Sequence, residues 1–343
     1  MSADLGLGMG WRAPLAALAH RRADLGFVEV VAEAFSAARP LPLPLEALRR
    51  RGVRLVPHGV GLSLGSAVEP DPDRLSSLAR LAERLDAPLV SEHIALVRGG
   101  GVEAGHLLPV PRTRASLEVL VANVTTAVAR LPVPLALEPI AALFEWPDVE
   151  IEEGAFVTEL LERTGALLLL DVANLYANAR NHGYDPVALL DRLPLARLAY
   201  VHVAGGAADE GLYHDTHAHP VPDGVFDLLG ELAARVPIPG AMLERDRHYP
   251  PTDEVEAELD AIAAVAVLGR RPPPLPSVPG APSPSTATPA DRERLAFEQA
   301  TLVGALVGRG DPPVGLDRVR FAAAAAALAR KRAPLGSRHG RRG

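Results

Sequence analysis

No cysteine occurs anywhere in the 343 residues. Disulfides, thiolate-bound zinc and iron-sulfur clusters held by the chain's own sulfur are therefore excluded, and any metal must sit among nitrogen and oxygen donors. Lysine is almost missing too: Lys331 is the single one, so nearly all positive charge is arginine. No apolar run approaches the ~20 residues that a membrane-spanning helix requires. The amino terminus, Met1-Ser-Ala-Asp-Leu-Gly6, lacks the basic patch and apolar stretch of a secretory signal, so a cytoplasmic location is expected. Basic excess is lacking as well. The net charge is −7, whereas a chain built to coat nucleic acid carries a positive main domain. Neither membrane nor nucleic acid is an expected partner.

What is present is a chain that is 48% hydrophobic and 22% charged, the composition of a globular protein. Eight short apolar runs punctuate its first 250 residues: Leu5 to Trp11, Phe27 to Val31, Val53 to Pro57, Pro88 to Ser91, Pro134 to Leu137, Ala166 to Leu170, Leu198 to Val201 and Ala241 to Leu243. Stretches with helical spacing of Ala, Leu and Arg separate them. Near-continuous apolar strands alternating with helices indicate a parallel sheet buried on both faces, and eight such units favour a TIM-type (β/α)8 barrel over an open doubly wound sheet. Gly6-Leu-Gly8-Met-Gly10 lies inside the first run and does not open a helix, which counts against a dinucleotide-binding fold. The barrel is expected over residues 1–268, a Pro-rich linker over 269–290, and a separate small helical module over 291–343. That module reads as two helices, Asp291 to Val307 and Phe321 to Arg332. Its basic tail places eight basic residues after Leu316 against Asp317 alone; a solvated helix end is the commoner explanation of such a tail, and an acidic partner the sharper one.

The apolar runs repeatedly finish on a side chain that can bind metal. They lead into His58, His93, Glu138, Asp171, His202 and Glu244, and in a barrel these positions share one mouth. Asn174 follows Asp171 by three residues, and the segment His214-Asp215-Thr-His217-Ala-His219 adds carboxylate and imidazole at alternating positions. If that segment is extended, Asp215, His217 and His219 project to one side. Each residue has a plainer reading: a lone strand-end His is more often structural, Asp171 can cap a helix, and Glu138 or Glu244 can pair with an arginine. Jointly they make a mouth too rich in carboxylate and imidazole to persist without cations, with more donors than one tetrahedral zinc uses. Two or three octahedral iron or manganese ions suit the donor set.

At these residues the chain resembles the multinuclear non-haem iron-dependent oxidative enzymes, the group that includes the methanobactin-biosynthesis oxidase. The resemblance covers roughly residues 5–260. It is carried by Gly6-Leu-Gly-Met-Gly-Trp-Arg12, His58-Gly-Val-Gly-Leu-Ser-Leu-Gly65, Ser91-Glu-His93, Leu137-Glu138 and Leu170-Asp-Val-Ala-Asn174. It continues through Asn181-His-Gly-Tyr-Asp185, Val201-His-Val-Ala-Gly205, Asp215-Thr-His217 and Leu243-Glu-Arg-Asp246. The family commonly has Asn after the strand Glu, where this chain has Pro139.

The resemblance implies iron ligands at His58, His93, Glu138, Asp171, Asn174, His202, Asp215, His217 and Glu244, with His58, Glu138, Asp171, His217 and Glu244 catalytic. It places His182 and Asp246 beside the ligands or on the substrate side. It further implies two or three irons including a mixed-valent Fe2+/Fe3+ pair, dioxygen as cosubstrate, and a cysteine-containing, ribosomally made precursor peptide as substrate. A companion protein, or the module from Asp291 onward, would present that peptide. The competing readings are a divalent-metal isomerase or phosphoesterase on a xylose-isomerase-like barrel, and a metal-binding scaffold without turnover. A sugar isomerase commonly places lysine near its metal, and a phosphoesterase places basic groups there; the barrel sequence has no lysine.

Overall fold

A computed structural model describes residues 4–209, 211–268 and 284–332. The strands are β1 (Gly6–Gly10), β2 (Leu25–Val31), β3 (Arg54–His58), β4 (Val90–His93), β5 (Leu96–Gly99), β6 (Val102–Leu108), β7 (Leu135–Glu138), β8 (Leu167–Asp171), β9 (Leu198–Val203), β10 (Ala207–Asp209), β11 (Leu212–His214) and β12 (Gly240–Leu243). The helices are α1 (Ala16–Arg21), α2 (Leu43–Arg50), α3 (Pro72–Leu85), α4 (Arg114–Arg130), α5 (Glu153–Thr164), α6 (Val172–His182), α7 (Pro186–Leu190), α8 (Asp223–Arg235), α9 (Thr252–Val265), α10 (Pro289–Leu306) and α11 (Arg318–Arg332). Eight strands close in the order β1-β12-β9-β8-β7-β4-β3-β2. All eight pairings in that ring are parallel. The expected (β/α)8 barrel is the observed one, and each expected strand coincides with a barrel strand to within two residues at most boundaries. Among the described residues, no helix is long and apolar enough to cross a membrane.

Strand periodicity sorts the residues into layers. On β2, Val28 and Val30 face the helices while Phe27 and Glu29 face inward; on β3 the inward pair is Val56 and His58. The same two-residue step links Ala136 to Glu138, Leu169 to Asp171, Tyr200 to His202 and Met242 to Glu244. Apolar side chains therefore fill the lower interior, and the residue two positions later rises into the mouth at the carboxyl ends of the strands. Phe27 and Tyr200 meet edge to face there, their centroids 5.7 Å apart. Gly8 makes room for them, since a Cβ would lie 2.3 Å from the Phe27 ring.

Helix starts are coded locally. Asp71 accepts from the Asp73 and Arg74 amides ahead of α3, whose Leu75, Leu78, Leu81, Ala82 and Leu85 form the stripe that packs on the barrel. Two hairpins, β5–β6 and β10–β11, extend the connections after β4 and β9 over the mouth; the sequence reading did not anticipate them.

Most of the Pro-rich linker lies outside the described residues, as do Arg338, Arg341 and Arg342 of the basic tail. Helices α10 and α11 occur close to where they are expected. Leu302, Val303, Leu306, Leu316, Phe321, Ala324 and Leu328 share one apolar cluster with Leu96, Ala104 and Leu108 of β5–β6 and with Phe144 and Trp146 of the barrel.

Candidate metal centre

His58, His93, Glu138, Asn174, Asp215, His217 and Glu244 line one cavity of about 200 Å³, while Asp171 and His202 do not line it but each bring a donor atom within 4.8 Å of one on Glu138. Glu138 is its hub. One carboxylate oxygen lies 3.3 Å from His93 Nε2 and 3.7 Å from His58 Nε2; the other lies 3.7 Å from His202 Nδ1. Asp171 caps α6 with one oxygen, accepting from the Ala173 and Asn174 amides. Helix capping, the plainer role read for this residue, therefore coexists with a second oxygen that is left over.

Asn174 stands one turn into α6 and donates to Glu138 at 3.1 Å. His202 Nδ1 is 3.2 Å from Glu244, whose other oxygen is 3.4 Å from His217 Nδ1. His217 Nε2 sits between Asp215 at 2.5 Å and Asp171 at 3.8 Å. Asp246 stands at the rim, 3.6 Å from His217 and ion-paired with Arg12.

Two expectations do not hold as drawn. The segment after β11 is not extended: His217 takes a left-handed backbone with φ of 51°. That turn folds Asp215 and His217 together and sends His219 elsewhere, hydrogen-bonded to Thr216 and facing His248 at 6.2 Å. His182 lies at the end of α6 outside this cavity. Its Nε2 donates to the Ala142 carbonyl and its Nδ1 accepts from Arg320 of α11, and it lines a separate small cavity with Arg112, Phe144 and Trp146.

A network the sequence reading missed fixes the imidazoles. Tyr200 donates to the buried Glu29 carboxylate at 2.6 Å. Its single proton being used, Ser91 donates to Tyr200, and His58 Nδ1 in turn donates to Ser91 at 2.8 Å. His93 Nδ1 donates to the Gly59 carbonyl, and His202 Nε2 donates to Glu29 at 2.8 Å. In each ring the remaining nitrogen is thereby turned toward the cavity with its lone pair available. Glu29 was visible as the one charge within Phe27-Val-Glu-Val-Val31, a buried strand in which a lone carboxylate demands a partner. His106 and His214 also line the cavity. They come from the two hairpins.

Charge balance shows how the cluster copes without a cation. Burial opposes a charged His93, yet Glu138, Glu92 and Glu244 lift it to about 9. Burial also opposes charge on His202 and His217, and both are nonetheless raised, by Glu29 and Glu138 and by Asp215 and Glu244 respectively. Burial would raise Glu138 and Glu244, but the surrounding imidazoles hold both low, Glu138 at about 2. Asp171 is pushed well up by burial and by its neighbours Asp215 and Glu138.

The donors fit metal ions on one further count. Five of the ten buried side-chain atoms lacking a hydrogen bond among the described residues belong here: Glu138 Oε2, Asp171 Oδ2, His202 Nδ1, Asp215 Oδ1 and His217 Nε2. Such atoms are costly to bury and rare. Four overlapping triads, His58/His93/Glu138, Glu29/His202/Glu244, Glu138/Asp171/His202 and Asp171/His217/Glu244, each bring one donor atom per residue within 4.8 Å of the others. Their shared members make one continuous cluster of possible metal donors. Of the nine ligands implied by resemblance, seven appear in these triads, and Asn174 and Asp215 border them.

Comparison with known proteins agrees with this geometry. Residues 6–267 match the family described as RiPP precursor modification enzyme MbnB/TglH/ChrH, and residues 296–339 match the SCO6045-like C-terminal domain. A UPF0276 protein of Streptomyces avermitilis is 47% identical, covering 96% of this chain and 78% of its own length. UPF0276 proteins of Caulobacter vibrioides and Chromobacterium violaceum are 39% and 38% identical, covering 78% and 76% of this chain and 96% and 94% of their own. The chain belongs to the MbnB/TglH/ChrH family of metal-dependent enzymes that modify ribosomally made precursor peptides.

Proposed function

We propose that this protein is a multinuclear iron enzyme that uses dioxygen to oxidise cysteine side chains of a precursor peptide. The observation that carries the reading is that Glu138, Asp171, His202, Asp215 and His217 each keep a buried side-chain atom without a hydrogen bond; Glu138, Asp215 and His217 line one cavity, and Asp171 and His202 bring donor atoms within 4.8 Å of Glu138. In this reading His58, His93, Glu138, Asp171, Asn174, His202, Asp215, His217 and Glu244 hold two or three ions, and His58, Glu138, Asp171, His217 and Glu244 border the reacting atoms. Iron bound there supplies one-electron exchange with dioxygen through a mixed-valent Fe2+/Fe3+ pair.

The chain's own residues provide the setting. Glu138, in reach of the His58, His93 and His202 imidazoles, would hold metal together with Asp171 and Glu244. Glu29, Ser91 and Tyr200 fix ring orientation from below. The chain has no cysteine, so any thiolate at the metals comes from outside the chain and cannot be a competing thiol of the enzyme. Arg12, His106, Leu107, His214 and Asp246 form the rim that a peptide segment meets first. A companion protein is expected to help deliver that peptide, in a cytoplasmic setting where the cysteine stays reduced.

The test is oxygen uptake by the iron-loaded protein with peptides that differ only at cysteine. Uptake together with a change in peptide mass is expected with cysteine and not with serine in its place. Equal behaviour of both peptides would sink the proposal.

A further inference from the structure

Helix α10 reaches beneath the mouth, and its Gln299 is only 1% exposed. Gln299 Nε2 donates to the Gly65 carbonyl at 2.9 Å, and its Oε1 accepts from the Ala67 amide at 2.8 Å. From the same helix Arg292 donates to the Ala67 carbonyl at 2.7 Å and to Asn123 at 3.3 Å, while Asn123 donates to the Leu64 and Ser66 carbonyls. The segment so held, 59–67, is the connection that leaves β3 directly after His58. It has no regular structure, so side chains must satisfy its backbone groups.

The near end of that segment shapes the metal centre. The Gly59 carbonyl takes the Nδ1 proton of His93, and the Gly59 amide donates to Ser91, whose side chain in turn holds His58. Between the two ends, Leu62 donates to Glu92, the Ser63 hydroxyl accepts from Val97, and Gly65 donates to the Ala95 carbonyl. The backbone of segment 59–67 therefore joins the hydrogen bonds of Gln299 at one end to those of two imidazoles at the other. The close seating of α10 is built in from the other side as well. A Cβ on Gly99, at the end of β5, would lie 2.4 Å from the Gln299 carbonyl oxygen. The hairpin on which α10 rests sends His106 and Leu107 into the metal cavity.

We propose that Gln299 is a positioning residue of the metal centre: by gripping the 59–67 segment, it fixes His58 and His93, and it makes the C-terminal helix part of the metal-binding unit. The inference rests on the reading of those two residues as ligands. Its test is anaerobic titration of the metal-free, full-length protein with cobalt(II), read by the visible d–d bands. Gln299→Met keeps length and volume but makes neither hydrogen bond. Since partners outside the ligand shell change metal affinity by about 10–100-fold, the variant should bind cobalt at least about tenfold more weakly, with altered bands, while its circular dichroism stays native. Native affinity and native bands in folded Gln299→Met would overturn the inference. If that variant does not fold, Arg292→Met, at a partly exposed site, is judged by the same two outcomes. A wild-type chain that takes up no cobalt would overturn the ligand assignment and this inference with it. Normal wild-type binding with an indifferent variant would overturn the inference alone.

Discussion

Glu138→Gln should leave a folded barrel that has lost its metals and its turnover. The substitution preserves shape, and the new amide oxygen can still accept from Asn174, so packing gives little reason for unfolding. What goes is the negative charge that faces His93, His58 and His202 at 3.3 to 3.7 Å. Partners outside the ligand shell alone are worth about 10–100-fold in metal affinity or activity; a shared ligand should cost more than that. Metal content after dialysis, oxygen uptake and circular dichroism together check the outcome. A folded variant with wild-type metal content would show that Glu138 is only a charge partner of the imidazoles.

Metal-free protein should lose stability as pH rises, while the stabilisation that added metal provides should grow. The His93 imidazole rises from its ordinary 6.5 to about 9 in the folded, metal-free chain. A raised value means that its protonated form contributes stability that is fully present below about pH 6.5 and is lost as pH climbs through about 9. The raised His202, His217 and Asp171 act in the same sense. A cation requires the reverse, since imidazole nitrogen binds only when unprotonated, so uptake releases protons and tightens as pH rises. The thermal midpoint of metal-free protein should therefore fall between pH 6.5 and 9 while the stabilisation given by added metal grows. Differential scanning calorimetry with an indicator-dye measurement of released protons tests both parts. A metal-free midpoint that climbs across this window, with no proton release on metal addition, would contradict the charge pattern of the site.

The barrel was legible because strands buried on both faces read as apolar runs, and the site because the inward residue near each strand's carboxyl end breaks that run. His58, His93, Glu138 and Asp171 are the last residues of their strands, His202 stands one before the end and Glu244 one beyond. Residues whose roles depend on contacts distant in sequence were harder to see. Glu29 reaches Tyr200 and His202 across more than 170 positions. The folded-back turn at His217 depends on a left-handed backbone that no glycine announces. Hairpin β5–β6 had a local signal in Gly99-Gly100-Gly101, but its purpose, carrying His106 to the mouth while its other side receives α10, emerges only from packing.

Docking of α10 and α11 also changes how the C-terminal segment is understood. Phe321 meets Phe144 edge to face at 5.7 Å, and Arg320 reaches His182 on the helix that Asp171 caps. A helix pair coupled in this way to the hairpins and to the segment after His58 supports the mouth from outside.

The proposed metal centre is a multi-ion site built only from nitrogen and oxygen donors. Its most direct test is elemental analysis of anaerobically purified protein combined with Mössbauer spectroscopy. The expected result is two or more irons per chain, in high-spin nitrogen/oxygen environments, with Fe2+ and Fe3+ both present. A single stoichiometric zinc, or iron that never exceeds one per chain under any loading condition, would contradict it.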